Sequence, residues 1–257
     1  MPTKYPILLV HGIVLKESKI FKAFGKIDKK LKAEGYCVYV SNQDGFGTIE
    51  NNAEQLKIQI EDILKKENSA KINLIAHSKG GLDCKYLISE LHMQDKVASL
   101  TTLCTPHKGS PMASKIMSLP KFMLKFIAFW INFWYHIFGD KHPDSFTVCK
   151  QLQQHDEETA FPFSDKIFCQ SFSTTMKKAK DDFVMGIPLI FSRHFDKVET
   201  DGLVPVNSAV FENYRGNCIE GSVSHSQIVD FMTPKSKKEK IYSFYLEICK
   251  ELAEMNF

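Results

Sequence analysis

Short β-branched apolar runs alternate with longer stretches of helical spacing through the first part of this chain. Ile7–Val10, Cys37–Val40, Ile72–Ala76 and Val97–Leu103 are the short runs, and each reads as a buried strand. Between them, Phe21–Ala33 has helical spacing, and Asn52–Lys66 places Leu56, Ile60, Ile63 and Leu64 on one face. Such alternation predicts a mostly parallel sheet with helices covering its faces, an α/β fold class. The pattern then changes. From Met112 to Phe138 large apolar residues dominate, and no glycine occurs between Gly109 and Gly139. Sheet elements resume at Ile167–Phe172 and near Cys218–Ile219, and Lys237–Met255 reads as a closing helix. No repeat, low-complexity tract or linker interrupts the pattern. Residues 1–257 therefore read as one domain carrying a helical insertion at 111–160.

Bulk properties narrow the function classes. A chain of 257 residues can bury a substantial core, and 44 % hydrophobic with 25 % charged residues is ordinary for a globular domain. The net charge of +3 is too small to argue for a nucleic-acid partner. Lys235, Lys237, Lys238 and Lys240 read as a solvated helix start rather than a membrane-binding cluster. Seven scattered cysteines without a C-x-x-C pair suggest reduced, mostly buried thiols. The N-terminus runs straight into the first strand without the basic start and apolar core of a leader. A cytoplasmic or membrane-peripheral location is the expectation, or a secreted one if a leader has been removed.

Candidate chemistry sits at the end of the third strand. Leu74 to Gly81 reads Leu-Ile-Ala-His-Ser-Lys-Gly-Gly, and a helical pattern with Leu82, Tyr86, Leu87 and Leu91 follows at once. This is the strand–turn–helix setting of a nucleophile elbow, with alanine in the first small position of G-x-S-x-G. The turn strains Ser78 and holds its hydroxyl outward, and larger neighbours two positions away would collide with adjoining backbone. A hydroxyl becomes a nucleophile when a histidine takes its proton and an acid orients that histidine. Among nine histidines, His225 follows a late sheet element, in the loop Ser224-His225-Ser226; His194 is the second choice. Asp201, in Thr200-Asp201-Gly202, occupies a loop at the sheet rim, with Asp196 and Glu199 as nearby competitors. An oxyanion hole needs aimed N–H donors. The backbone amide of Lys79 supplies one, and that of Ile13, after Gly12, is the candidate for the other. His11 is expected to shape this loop through a local hydrogen bond.

These pieces together resemble the bacterial triacylglycerol lipase family, the true lipases of the pseudomonad type, within the α/β-hydrolase fold. The resemblance rests on Tyr5-Pro6-Ile7-Leu8-Leu9-Val10-His11-Gly12, Val38-Tyr39-Val40, Gln55-Leu56, Lys71 to Ser78, Thr105-Pro106-His107-Lys108-Gly109-Ser110 and Asp201-Gly202-Leu203-Val204. It is dense up to Ser110 and sparse beyond, apart from the acid loop. It implies Ser78 as nucleophile, Asp201 as acid and His225 as base, with the Ile13 and Lys79 amides as oxyanion donors. The family carries a calcium-binding aspartate two residues after the histidine, and Gln227 stands there in this chain. Calcium prefers several anionic oxygens, so no metal or other cofactor is expected, although Asp181, Asp182 and Asp230 are potential ligands nearby.

The family places a lid after the Thr-Pro-His segment, where this chain carries Pro120 to Phe138 with both of its tryptophans, Trp130 and Trp134. The segment is too short and too interrupted for a confident membrane span. It is read as a lid or acyl-pocket wall, with Phe122, Phe126, Phe129 and Trp130 as lining residues, against a buried structural helix or a membrane anchor. The expected activity is hydrolysis of lipid-like carboxylic esters, with peripheral contact to a lipid interface. An acyl thioesterase or phospholipase using the same triad, or a lipid-binding protein on an inactive scaffold, are the alternatives.

Overall fold

A computed structural model describes residues 2–14, 22–155, 166–195 and 198–257, with the side chains of 194 and 195 left aside. The strands are β1 (Ile7–Val10), β2 (Val38–Val40), β3 (Ile72–His77), β4 (Val97–Leu103), β5 (Phe168–Ser173) and β6 (Tyr214–Asn217). They form one sheet in the order β2-β1-β3-β4-β5-β6, and every neighbouring pair is parallel. The helices are α1 (Ile27–Ala33), α2 (Ile49–Lys66), α3 (Lys79–Ser89), α4 (Pro111–Met117), α5 (Lys121–Ile137), α6 (Ser145–Gln151), α7 (Gly186–Phe195), α8 (Val206–Ala209) and α9 (Lys235–Glu254).

Side chains alternate across a strand, and β1 divides the core accordingly. Ile7 and Leu9 join α1 and α9 on one face, in a cluster with Phe24, Leu31 and Tyr245. Leu8 and Val10 join α2 and α3 on the other, with Leu56, Ile60 and Leu87. The central strands β3 and β4 are buried along their whole length. Their carboxyl ends, and the loops that follow them, carry the candidate site, as expected for an open parallel sheet.

Two elements depart from the hydrophobic pattern. α2 begins at Ile49, three residues before the apolar spacing starts, because Thr48 caps it by accepting a hydrogen bond from the Asn51 amide at 3.3 Å. The last strand lies at Tyr214–Asn217, just before the apolar pair Cys218–Ile219 that suggested it. β6 is an edge strand with exposed alternate residues, whereas Cys218 and Ile219 pack on the core beyond its end. The apolar signal marked the packing and not the ladder. None of the seven cysteines forms a disulfide, and Cys84, Cys104, Cys169 and Cys249 are buried.

Candidate active site

Ser78 ends β3 and begins α3, with φ 55° and ψ −134°. A non-glycine residue at positive φ costs free energy and persists only where surrounding structure imposes it. Glycine makes that possible at two points. A Cβ on Gly80 would lie 2.5 Å from the His11 carbonyl oxygen, and one on Gly12 would lie 2.7 Å from Ser78 Cβ and 3.1 Å from Lys79 N. The loop after β1 thus presses directly against the nucleophile turn. His11 helps fix it: its Nδ1 is 2.8 Å from the Gly12 carbonyl, its own N–H donates to Ser41 Oγ at 3.2 Å, and its carbonyl accepts from Gln43 Nε2 at 2.7 Å.

His225 reaches the same point from the far end of the chain. Its Nε2 lies 2.9 Å from Ser78 Oγ and its Nδ1 lies 2.7 Å from Asp201 Oδ2. The other Asp201 oxygen accepts from the Leu203 and Val204 amides at 2.9 and 2.7 Å. The His225 amide in turn donates to the Asp201 carbonyl at 2.9 Å. All three side chains are buried. The carboxylate is therefore held by the backbone on one side and orients the imidazole on the other. A proton on Ser78 Oγ can pass to Nε2 while Asp201 stabilises the resulting imidazolium. Ile13 borders the same cavity as Ser78, and Lys79 opens α3, so both proposed oxyanion amides lie on segments that meet at the serine. Of the competitors, Glu199 is exposed, Asp196 lies outside the described residues, and the His194 side chain is likewise not described.

Several supports were not legible beforehand. The Lys79 side chain is fully buried and pairs with Asp83, also buried, at 2.7 Å. Asn52 Nδ2 donates to the same carboxylate at 3.0 Å. Burial still drives the Asp83 carboxyl up to about 6, against the pull of Lys79 and Asn52. Cys104 backs the acid: φ is 51°, and its sulfur, an Asp201 oxygen and a His225 nitrogen lie within 4.8 Å of one another. The His77 ring sits 4.5 Å from that of His225, and burial, with the His225 charge adding to it, keeps its pKa well below the ordinary value. Asp182 tethers the histidine loop from outside. Its carboxylate accepts from the hydroxyls of Ser224 and Ser226 and from the Val184 and Met185 amides. Burial alone would raise its pKa, but these bonds outweigh it and hold the carboxyl below its usual value.

The donors around Gln227 do not fit calcium. Gln227 Oε1 accepts from the Lys237 ammonium at 2.9 Å, and its Nε2 donates to the Asp181 carbonyl at 2.7 Å. Asp230 is taken up by Lys238 at 2.9 Å and by the Tyr242 hydroxyl at 2.8 Å. With Asp182 also committed, a lysine cation stands where a divalent ion would need anionic oxygens.

Ser78 and His225 open into a cavity of about 480 Å³. Its walls are apolar: Met112, Ala113 and Ile116 from α4, Tyr135 from α5, Leu152, and Val184 with Met185 just before α7. Phe122, Phe126, Phe129 and Trp130 do not line it. α5 packs inward through Leu124 and Ala128, which turns those four aromatic side chains toward solvent. Tyr135 is the α5 aromatic that reaches the cavity, and burial pushes its hydroxyl up to about 12.

A family model described as palmitoyl protein thioesterase matches residues 6–160, from β1 through the elbow and the apolar insertion. The chain belongs to the palmitoyl protein thioesterase family. Its relatives also bear out the lipase resemblance. Triacylglycerol lipase 2 of Saccharomyces cerevisiae is 28 % identical over 250 residues, covering 90 % of this chain and 73 % of that protein. A triacylglycerol lipase of Pseudarthrobacter phenanthrenivorans is 35 % identical over 124 residues, 46 % of this chain and 38 % of that one. The match thus spans little more than a third of the bacterial relative. Among solved structures, the mature lipase BlEst2 of Bacillus licheniformis superposes with TM-score 0.69 at 20 % identity, covering 98 % of this chain and 93 % of that one. A metagenomic carboxyl esterase superposes with TM-score 0.72 at 15 % identity, covering 96 % and 76 %. At such identities these two establish the α/β-hydrolase fold of this thioesterase-family chain.

Proposed function

We propose that the protein hydrolyses acyl esters of lipid character through an acyl-enzyme on Ser78. The observation that carries this is the unbroken hydrogen-bonded series Ser78–His225–Asp201, whose serine and histidine line an apolar cavity. In the first step His225 takes the Ser78 proton as Oγ bonds to the acyl carbon. The carbonyl oxygen becomes an oxyanion facing the Lys79 and Ile13 amides. Collapse expels the alcohol, which leaves with the proton from His225. Water then repeats the sequence, with His225 again taking the proton, and releases the free acid. The apolar walls favour an acyl chain over a sugar or charged metabolite.

A thioester substrate is the second reading, favoured by the family model that matches this chain. The same proton transfers serve it, with a thiol as leaving group. Parallel assays on a matched acyl ester and acyl thioester separate the two, since the ratio of their kcat/KM values decides which leaving group the site prefers. Turnover of either should vanish with Ser78→Ala while the circular-dichroism spectrum stays native. Retained turnover in that variant contradicts the assignment.

A further inference from the structure

Lys79 is the first residue of α3, where the helix dipole disfavours a cation. A lysine at such a point ordinarily reaches into water. This one turns inward, is 1 % exposed, and meets Asp83 one turn on at 2.7 Å. A buried ion pair adds little net stability over a well-packed apolar pair, so stability gives no reason for it. Its position does. A first-turn amide has no carbonyl one turn back to receive it, and the Lys79 amide is one of the two N–H groups proposed to face the acyl oxygen.

The interaction does not end at Asp83. Asn52 on α2 donates through Nδ2 to Asp83 Oδ2 at 3.0 Å and to the Asp44 carbonyl at 2.9 Å. Gln43, next to Asp44, donates through Nε2 to the His11 carbonyl at 2.7 Å. His11 and Gly12 lead directly to Ile13, whose amide is the second proposed donor. Every residue on this route from Lys79 to His11 is buried. A hydrogen-bonded path thus crosses the interior from one oxyanion segment to the other. The titratable groups that interact with Asp83 are Lys79 and Cys84 on α3 and Glu50 on α2. Cys84 stays a neutral thiol, because burial lifts its pKa well above the ordinary value. The Asp44 carboxylate accepts from Gln55 and from the Lys141 and His142 amides.

We infer that Asp83 is a positioning residue for the oxyanion hole: it draws the Lys79 side chain inward, sets the direction of the Lys79 amide, and through Asn52 fixes that segment against the loop carrying the Ile13 amide. The role rests on the hydrolase reading. Protonation of Asp83 removes the charge that holds Lys79, and burial brings this carboxyl up to about 6. Above that pH the pair is charged and the two amides are held together. Below it the carboxyl is neutral and the hole slackens.

Asp83→Asn reproduces the protonated carboxyl at every pH. With reactive serine titrated by a fluorophosphonate, its kcat on a soluble ester should fall at least about tenfold at pH 8, short of the roughly 10²–10³-fold that removal of an oxyanion donor brings. The ratio of native to variant kcat should shrink toward one by about pH 5, as the native carboxyl takes up its proton. The need for an unprotonated His225 is common to both proteins and cancels from that ratio. An alkyl trifluoromethyl ketone bonds its carbonyl carbon to Ser78 Oγ, passes the serine proton to His225 and leaves an oxyanion in the hole. Its affinity should fall in proportion to kcat/KM, while a straight-chain alcohol of equal length, bound by the apolar walls, keeps its inhibition constant. Asn52→Ala, which spares the ion pair and cuts the path beyond it, should separate the two affinities in the same sense by a smaller factor. Equal loss of ketone and alcohol affinity, an unchanged kcat per titrated serine, or a ratio that does not vary with pH overturns the positioning role. A native chain that neither reacts with the fluorophosphonate nor turns over an ester or thioester sinks the hydrolase reading, and this role with it.

Discussion

At Ser78 a strained backbone, two glycines and an imidazole from far along the chain converge, and each can be tested alone. Asp201→Asn keeps the size of the acid but can present an N–H to His225 Nδ1, so the ring loses its orientation. Such a change should lower kcat by about 10⁴-fold while leaving the fold intact, as steady-state kinetics on a soluble ester would reveal. Lys79 has a second duty apart from its amide. Its buried ammonium answers the buried Asp83 carboxylate, so Lys79→Met at pH 8 should cost about 3–5 kcal/mol in chemical denaturation. Replacing both partners with apolar residues should recover most of that loss, because no uncompensated charge then remains. The residue types at Ser78, Asp201 and His225 were legible because nucleophile turns and acid loops need particular neighbours. The Lys79–Asp83 pair was not, since a lysine after a nucleophile looks solvated until α2 delivers Asn52 and closes over it.

Single elements hold the site to the sheet. The histidine loop is tied through Ser224 and Ser226 to Asp182, just ahead of α7. Asp182→Asn weakens hydrogen bonds to a charged acceptor, each worth about 1.5–3 kcal/mol. It should therefore lower kcat on a soluble ester by roughly tenfold or more, with little change in KM. The pH dependence has a definite sign. A carboxyl held below its ordinary value contributes stability that is complete above about pH 4 and lost as pH falls through the lowered value. Denaturation curves of the native chain and Asp182→Asn should therefore differ most near neutrality and converge in acid. Strand and helix order was legible because buried strands and amphipathic helices have different periods. The outward turn of the α5 rings was not, because the apolar stripe of a helix is ordinarily the side that meets the protein. The inward contacts of Leu124 and Ala128, with Tyr135 against Phe46 and Asn132 bonded to Ser145, decide it.

Across the whole molecule, the sheet brings Ser78 and His225, 147 positions apart, within hydrogen-bond distance. Apolar cores on both faces make that framework rigid. Lys237 donates to Gln227 and braces the turn after the base. Hydrolysis should accordingly be unchanged by a calcium chelator, whereas Lys237→Ala should lower the thermal midpoint; a chelator that abolished activity would contradict this. The cavity walls set chain length. Ile116→Trp should fill part of the 480 Å³ space and shift the preferred acyl ester to shorter chains, as rates over a chain-length series would register. The central claim is a covalent acyl group on one hydroxyl. Intact-mass and peptide analysis after a fluorophosphonate probe tests it most directly. A single adduct on Ser78, absent in Ser78→Ala and strongly slowed in His225→Ala, is the expected result; an unlabelled Ser78, or label on another residue, would contradict the account.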